Sequence, residues 1–78
     1  MVDWRKRITI KSDVMAGKPV VKGTRLTVEF IVGLLAEGWD ETGILEEYPG
    51  LSREDIHACL AYAREAWSLE RVYPARAS

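Results

Sequence analysis

The sequence predicts a mainly α fold, with an N-terminal β-hairpin followed by a three-helix helix-turn-helix core in one small domain. Three observations carry this. Alternation of polar and apolar residues at period two is confined to the first 25 residues. Three later segments combine helical apolar spacing with capping and stop signals. A short helix, a tight turn and a longer capped helix stand in that order behind another helix, the plan of a helix-turn-helix domain.

The elements follow in chain order. Arg7-Ile8-Thr9-Ile10-Lys11 alternates, with β-branched residues at its apolar places, and Pro19-Val20-Val21-Lys22 is a second short run. Met15-Ala16-Gly17-Lys18-Pro19 supplies the turn between them, and Gly23-Thr24-Arg25 interrupts the strand pattern. The first helix has Thr27 as its N-cap, Glu29 in its first turn and Gly38 as its C′ residue. Phe30, Ile31, Leu34 and Leu35 form its apolar face. Asp40 caps a second helix over Glu41 to Tyr48, stopped by Pro49-Gly50, with Ile44, Leu45 and Tyr48 inward. Ser52-Arg53-Glu54-Asp55 is a near capping box, with Asp in the usual place of Glu. It opens the longest helix, Arg53 to about Ser68, whose buried stripe is Ile56, Cys59, Leu60, Ala63 and Trp67. The organisation is thus a basic hairpin arm at 1–25, a core at 26–68 and a C-terminal tail at 69–78.

Composition narrows the function classes. The chain has 78 residues, 47% hydrophobic and 29% charged, as an ordinary globular domain does. One cysteine allows no internal disulfide, and one Cys with one His cannot build a structural zinc site. No run approaches the ~20 apolar residues of a membrane span. The N-terminus lacks a signal peptide's apolar stretch, so a cytoplasmic address is expected. The net charge of -1 hides an asymmetry: seven cations stand against two acids up to Arg25, and four arginines against ten acids beyond it. A basic front and an acidic back suggest two partners, or self-association in which opposite faces meet. So small a core gains from oligomerisation, and an isolated hairpin leaves edges that invite pairing. A homodimer is expected, through Ile8 to Lys11 or through Val20-Val21.

No catalytic or cofactor constellation is legible. Gly17-Lys18 and Lys22-Gly23-Thr24 look like fragments of a phosphate loop, but neither has the required glycine spacing before a helix. His57 and Cys59, two apart on a helix, project about 200° apart and cannot meet. Cys59 lies in the apolar stripe as a small buried hydrophobe. The outer face of the third helix offers Arg53, Glu54, His57, Ala61, Arg64 and Glu65, a mixed-charge surface where a DNA reader shows Arg, Lys, Asn or Gln. Leu45 also stands where a small alanine lets such helices approach, and the turn Pro49-Gly50-Leu51 is one residue longer than usual.

Ile8-Thr9-Ile10, the run Val14 to Val28 containing Gly17-Lys18-Pro19 and Gly23-Thr24-Arg25, then Ile44-Leu45, Tyr48-Pro49-Gly50-Leu51, Asp55-Ile56 and Tyr62-Ala63 resemble the family known only as domain of unknown function four-three-three. The resemblance spans roughly residues 8 to 63. It implies a short prokaryotic protein with a hairpin ahead of a homeodomain-like helix-turn-helix. It further implies a non-catalytic VapB-type antitoxin role beside a PIN-like ribonuclease toxin, together with binding to promoter DNA. Read on this sequence, the DNA contacts fall to Arg5, Lys6, Arg7, Lys22 and Arg25, with Arg53 and His57 nearest base edges. The toxin contact falls to Trp67, Arg71, Tyr73 and Arg76, because arginine pairs bidentately with the carboxylates of a metal-dependent nuclease. The expectation includes no cofactor, no metal, no membrane and no small-molecule substrate. The alternative is a protein-interaction or assembly module that never touches nucleic acid.

Overall fold

A computed structural model describes residues 3–13 and 15–67 of the chain. Two short strands, β1 (Ile8–Thr9) and β2 (Val20–Val21), pair antiparallel with Ile8 opposite Val21 and Thr9 opposite Val20. Three helices follow: α1 (Val28–Ala36), α2 (Glu41–Glu47) and α3 (Arg53–Trp67). The hairpin ahead of a helix-turn-helix core is therefore the fold of this chain.

Each helix starts and stops on chemistry visible in the sequence. Phe30 N donates to Thr27 Oγ1 at 3.0 Å, and Gly43 N to Asp40 Oδ1 at 2.8 Å. Gly38, at φ 104°, ends α1 in a Schellman turn, where Trp39 N donates to Leu34 O and Gly38 N to Leu35 O, each at 3.1 Å. A side chain there would resist the left-handed backbone. At α3 the capping box closes reciprocally: Asp55 N donates to Ser52 Oγ at 3.2 Å, and Ser52 N to Asp55 Oδ2 at 3.0 Å.

The core gathers Ile8, Val21, Val28, Ile31, Leu34, Ile44, Leu51, Ile56, Ala58 and Cys59, so the hairpin and all three helices share it. Burial departs from the periodicity in three places. Ile10, read as a strand residue, is 53% exposed because the ladder ends at Thr9. Phe30 is 40% exposed; its ring turns to the edge of Tyr48, centroids 5.7 Å apart, and Ile31 and Leu34 fill the core. Leu60 is 42% exposed instead of lying in the α3 stripe. The physical reason for Leu60 is where the N-terminus docks. Trp4, in a 3-10 turn at Trp4–Lys6, meets the Tyr62 ring edge-on at 4.8 Å, and Arg7 bonds Asp55. These contacts extend the buried arc of α3 toward Asp55, Ala58 and Tyr62, away from Leu60.

The expected open edge at Val20-Val21 is also closed. Val20 bridges Thr27, Val21 N donates to Leu26 O at 3.0 Å, and Val28 N donates to Pro19 O at 2.9 Å. The segment leading into α1 thus serves as a rudimentary third strand. Among the described residues no helix is long and apolar enough to cross a membrane.

Candidate nucleic-acid interface

The anticipated DNA-contacting residues divide into two groups according to their neighbours. Lys6, Lys22 and Arg25 are exposed and form no ion pair among the described residues. The other four have carboxylate partners. Arg5 Nη2 lies 3.1 Å from Glu65 Oε1, with its guanidinium 4.5 Å from the centre of the Trp4 ring. Arg7 Nη1 donates to Asp55 Oδ1 at 3.1 Å and to Ser52 Oγ at 3.5 Å. Arg53 Nη1 donates to Glu41 Oε1 at 2.6 Å, and His57 Nε2 lies 2.9 Å from Glu41 Oε2.

Glu41 therefore joins the first turn of α2 to the first turns of α3. Hydrogen bonds from His57 and then Arg53 hold its carboxyl below the usual carboxylate range. The two side chains expected nearest base edges, Arg53 and His57, are thereby held against a carboxylate. Such exposed pairs are individually weak, because solvent screens them and two long side chains must be held in one geometry. The acid partner of His57 is contributed by α2 and not by its own helix.

Arg7 organises this end of the molecule. Lys22 N donates to Arg7 O at 2.8 Å, so the Lys22–Arg25 turn lies beside the Arg7 end of the hairpin. The Arg7 side chain reaches Ser52 and Asp55 at the α3 N-terminus. One end of the fold thus gathers the cations of the hairpin turn and the helix start that carries Arg53. Single-sequence reasoning missed the groups that do the gathering: Trp4, Glu41, Asp55, Tyr62 and Glu65. The capping-box signature pointed to Asp55, but only as a cap.

Cys59 is fully buried, and burial, with the Asp55 charge second, pushes its thiol up to about 12. It is no nucleophile at neutral pH. The toxin-contact assignments cannot be placed in this way: the Trp67 side chain, Arg71, Tyr73 and Arg76 lie outside the described residues.

A paired hairpin locked onto a capped helix-turn-helix defines the class, a small domain of hairpin and three helices. The chain matches the family described as Protein of unknown function (DUF433) over residues 8–63, and it belongs to that family. It is similar to y4eO, an uncharacterized protein of Sinorhizobium fredii (strain NBRC 101917 / NGR234), at 36% identity over 59 residues. That match takes in 76% of this chain and 27% of y4eO, so the chain spans about a quarter of that relative. It is also similar to the crystal structure of a DUF433 member protein from Anabaena variabilis ATCC 29413, with a TM-score of 0.74 and 29% identity. That likeness covers 83% of this chain and 65% of the other.

Proposed function

We propose that this protein is a non-catalytic, homodimeric DNA-binding protein of the antitoxin type, which binds its own promoter and pairs with a PIN-like ribonuclease. The observation that supports the DNA reading is the Arg7 junction. It ties the exposed cations Lys22 and Arg25 to the α3 N-terminus through contacts of 2.8 and 3.1 Å. Affinity would come mainly from phosphate contacts by Lys6, Lys22 and Arg25, doubled in a dimer, with Arg53 and His57 reaching bases after exchanging Glu41 for DNA.

The test is fluorescence anisotropy with duplex DNA from upstream of the protein's own reading frame, across a salt series. Removing one cation that neutralises a phosphate flattens the plot of log affinity against log salt by about 0.9. Lys22→Ala with Arg25→Ala is expected to flatten it by about 1.8 per protomer engaged. Absence of binding at low salt would overturn the DNA reading. The toxin half is tested separately, by inhibition of the cognate nuclease with the chain truncated after Ser68. Full inhibition by that truncation, which keeps Trp67, would remove Arg71, Tyr73 and Arg76 from the contact and move it to the core.

One observation favours the second reading, a protein-interaction module with no nucleic-acid role. Arg53 and His57 are both occupied by Glu41, so α3 presents a neutralised surface where a recognition helix would present free donors.

A further inference from the structure

The face built by α1 and α2 differs in chemistry from the rest of the molecule. Residues 26–52 contain six acids and no Lys, Arg or His. Of the acids, Glu37, Glu46 and Glu47 are exposed and make no ion pair among the described residues. The same segment leaves Phe30 at 40% and Trp39 at 37% exposed, with Phe30 edge-on to Tyr48. Aromatic groups beside unpaired carboxylates suit a partner that is apolar and cationic.

The chain itself carries such a segment. The loop joining β1 to β2 exposes Ile10 at 53% and Met15 at 42%, flanked by Lys11 and Lys18. Within one molecule Lys18 Nζ lies 3.2 Å from Glu29 Oε1, so this loop adjoins the start of α1, next in sequence to Phe30. A cationic apolar loop and an acidic aromatic face that adjoin one another can be exchanged between two copies by a two-fold rotation. The contact then closes on itself instead of propagating.

We propose that a second copy of this chain covers the α1–α2 face, with Ile10, Lys11 and Met15 of each copy seated on the Phe30–Tyr48 surface of the other. Lys11 then faces the unpaired carboxylates Glu46 and Glu47. This names the interface of the homodimer in the functional reading above, and rests on that reading. Strand pairing is the weaker arrangement: the β2 edge is closed by Leu26 to Val28, and β1 is two residues long. Loop docking also leaves Lys22 and Arg25, at the opposite end of the hairpin, outside the contact.

The experiment is sedimentation equilibrium of the full chain at micromolar concentration and low salt, with circular dichroism to verify folding. Phe30 is exposed, so Phe30→Asp leaves the core intact; it is expected to weaken dimerisation about tenfold or more, as for an aromatic anchor. Glu46→Lys with Glu47→Lys is expected to weaken it too, and Lys11→Glu added to that pair to restore part of the loss. Leu60→Asp, exposed on α3, is the control expected to leave association unchanged. A wild-type dimer insensitive to Phe30→Asp and to both charge reversals would overturn this interface while the homodimer stands. A wild-type monomer would overturn the homodimer and the interface together.

Discussion

Arg53 and His57 lie one turn apart on α3, and each meets a different oxygen of Glu41. Their hydrogen bonds lower the Glu41 pKa from its ordinary 4.5. A carboxyl whose pKa falls on folding adds stability above its unfolded value and loses it as pH drops through the folded value. The stability difference between wild type and Glu41→Gln is therefore expected to be full above about pH 4.5 and to disappear on further acidification, which urea titrations across pH would measure. A difference constant down to pH 2 would show that Glu41 acts through something other than its charge. Cys59 gives a second prediction at this scale. With its thiol pushed to about 12, it should resist a thiol reagent at pH 8 until the protein unfolds. Rapid labelling in native buffer would mean the α3 packing opens readily.

The start of α3 does two jobs. Asp55 accepts from Ser52 N within the capping box, and its other oxygen accepts from Arg7. Asp55→Ala removes both the cap and the anchor of the hairpin, and a loss of about 2 kcal/mol is expected in denaturant unfolding. Ser52→Ala removes one cap contact and the long 3.5 Å bond from Arg7 but keeps the Arg7–Asp55 pair, and should cost about half as much. The turn before β2 is the second element under test. Met15 and Ala16 adopt φ of 49° and 57°, left-handed backbone that a Cβ disfavours. Ala16→Gly relieves that crowding at some entropic cost, for an expected net gain of about 0.5–1 kcal/mol.

In the whole molecule residues 3–7 pack onto α3 and belong to the same folded domain. Trp4 meets Tyr62 edge-on, its Nε1 donates to Glu65 at 3.2 Å, and Arg7 bonds Asp55, so contacts more than 45 residues apart close the chain. A chain beginning at Ile8, where the family match begins, discards all of them. Losing an aromatic pair and a half-buried ion pair from so small a core is expected to cost on the order of 2 kcal/mol. For a domain of this size that lowers Tm by about 8–16 °C in calorimetry. An unchanged Tm would mean residues 3–7 merely rest on α3. The same contacts consume Arg5 and Arg7, so the charge asymmetry of the sequence overstates the cations this surface can offer a phosphate.

Where the helices begin and end was legible along the chain. Caps at Thr27, Asp40 and Ser52, the stop at Gly38 and the period of each segment are local chemistry, acting within four residues. The fold class was legible for the same reason, since hairpin-then-helices and the spacing of α2 and α3 need no knowledge of distant contacts. Which face of each helix is buried, and which charges remain free, came only from packing. Leu60 left the core because Trp4 and Arg7 docked on the other flank of α3, a rotation that periodicity cannot register. His57 and Arg53 met Glu41, and Arg5 met Glu65, because packing brought together residues 12 to 60 positions apart. The number of cations is a property of composition, whereas the number free to bind depends on where the fold sets the carboxylates.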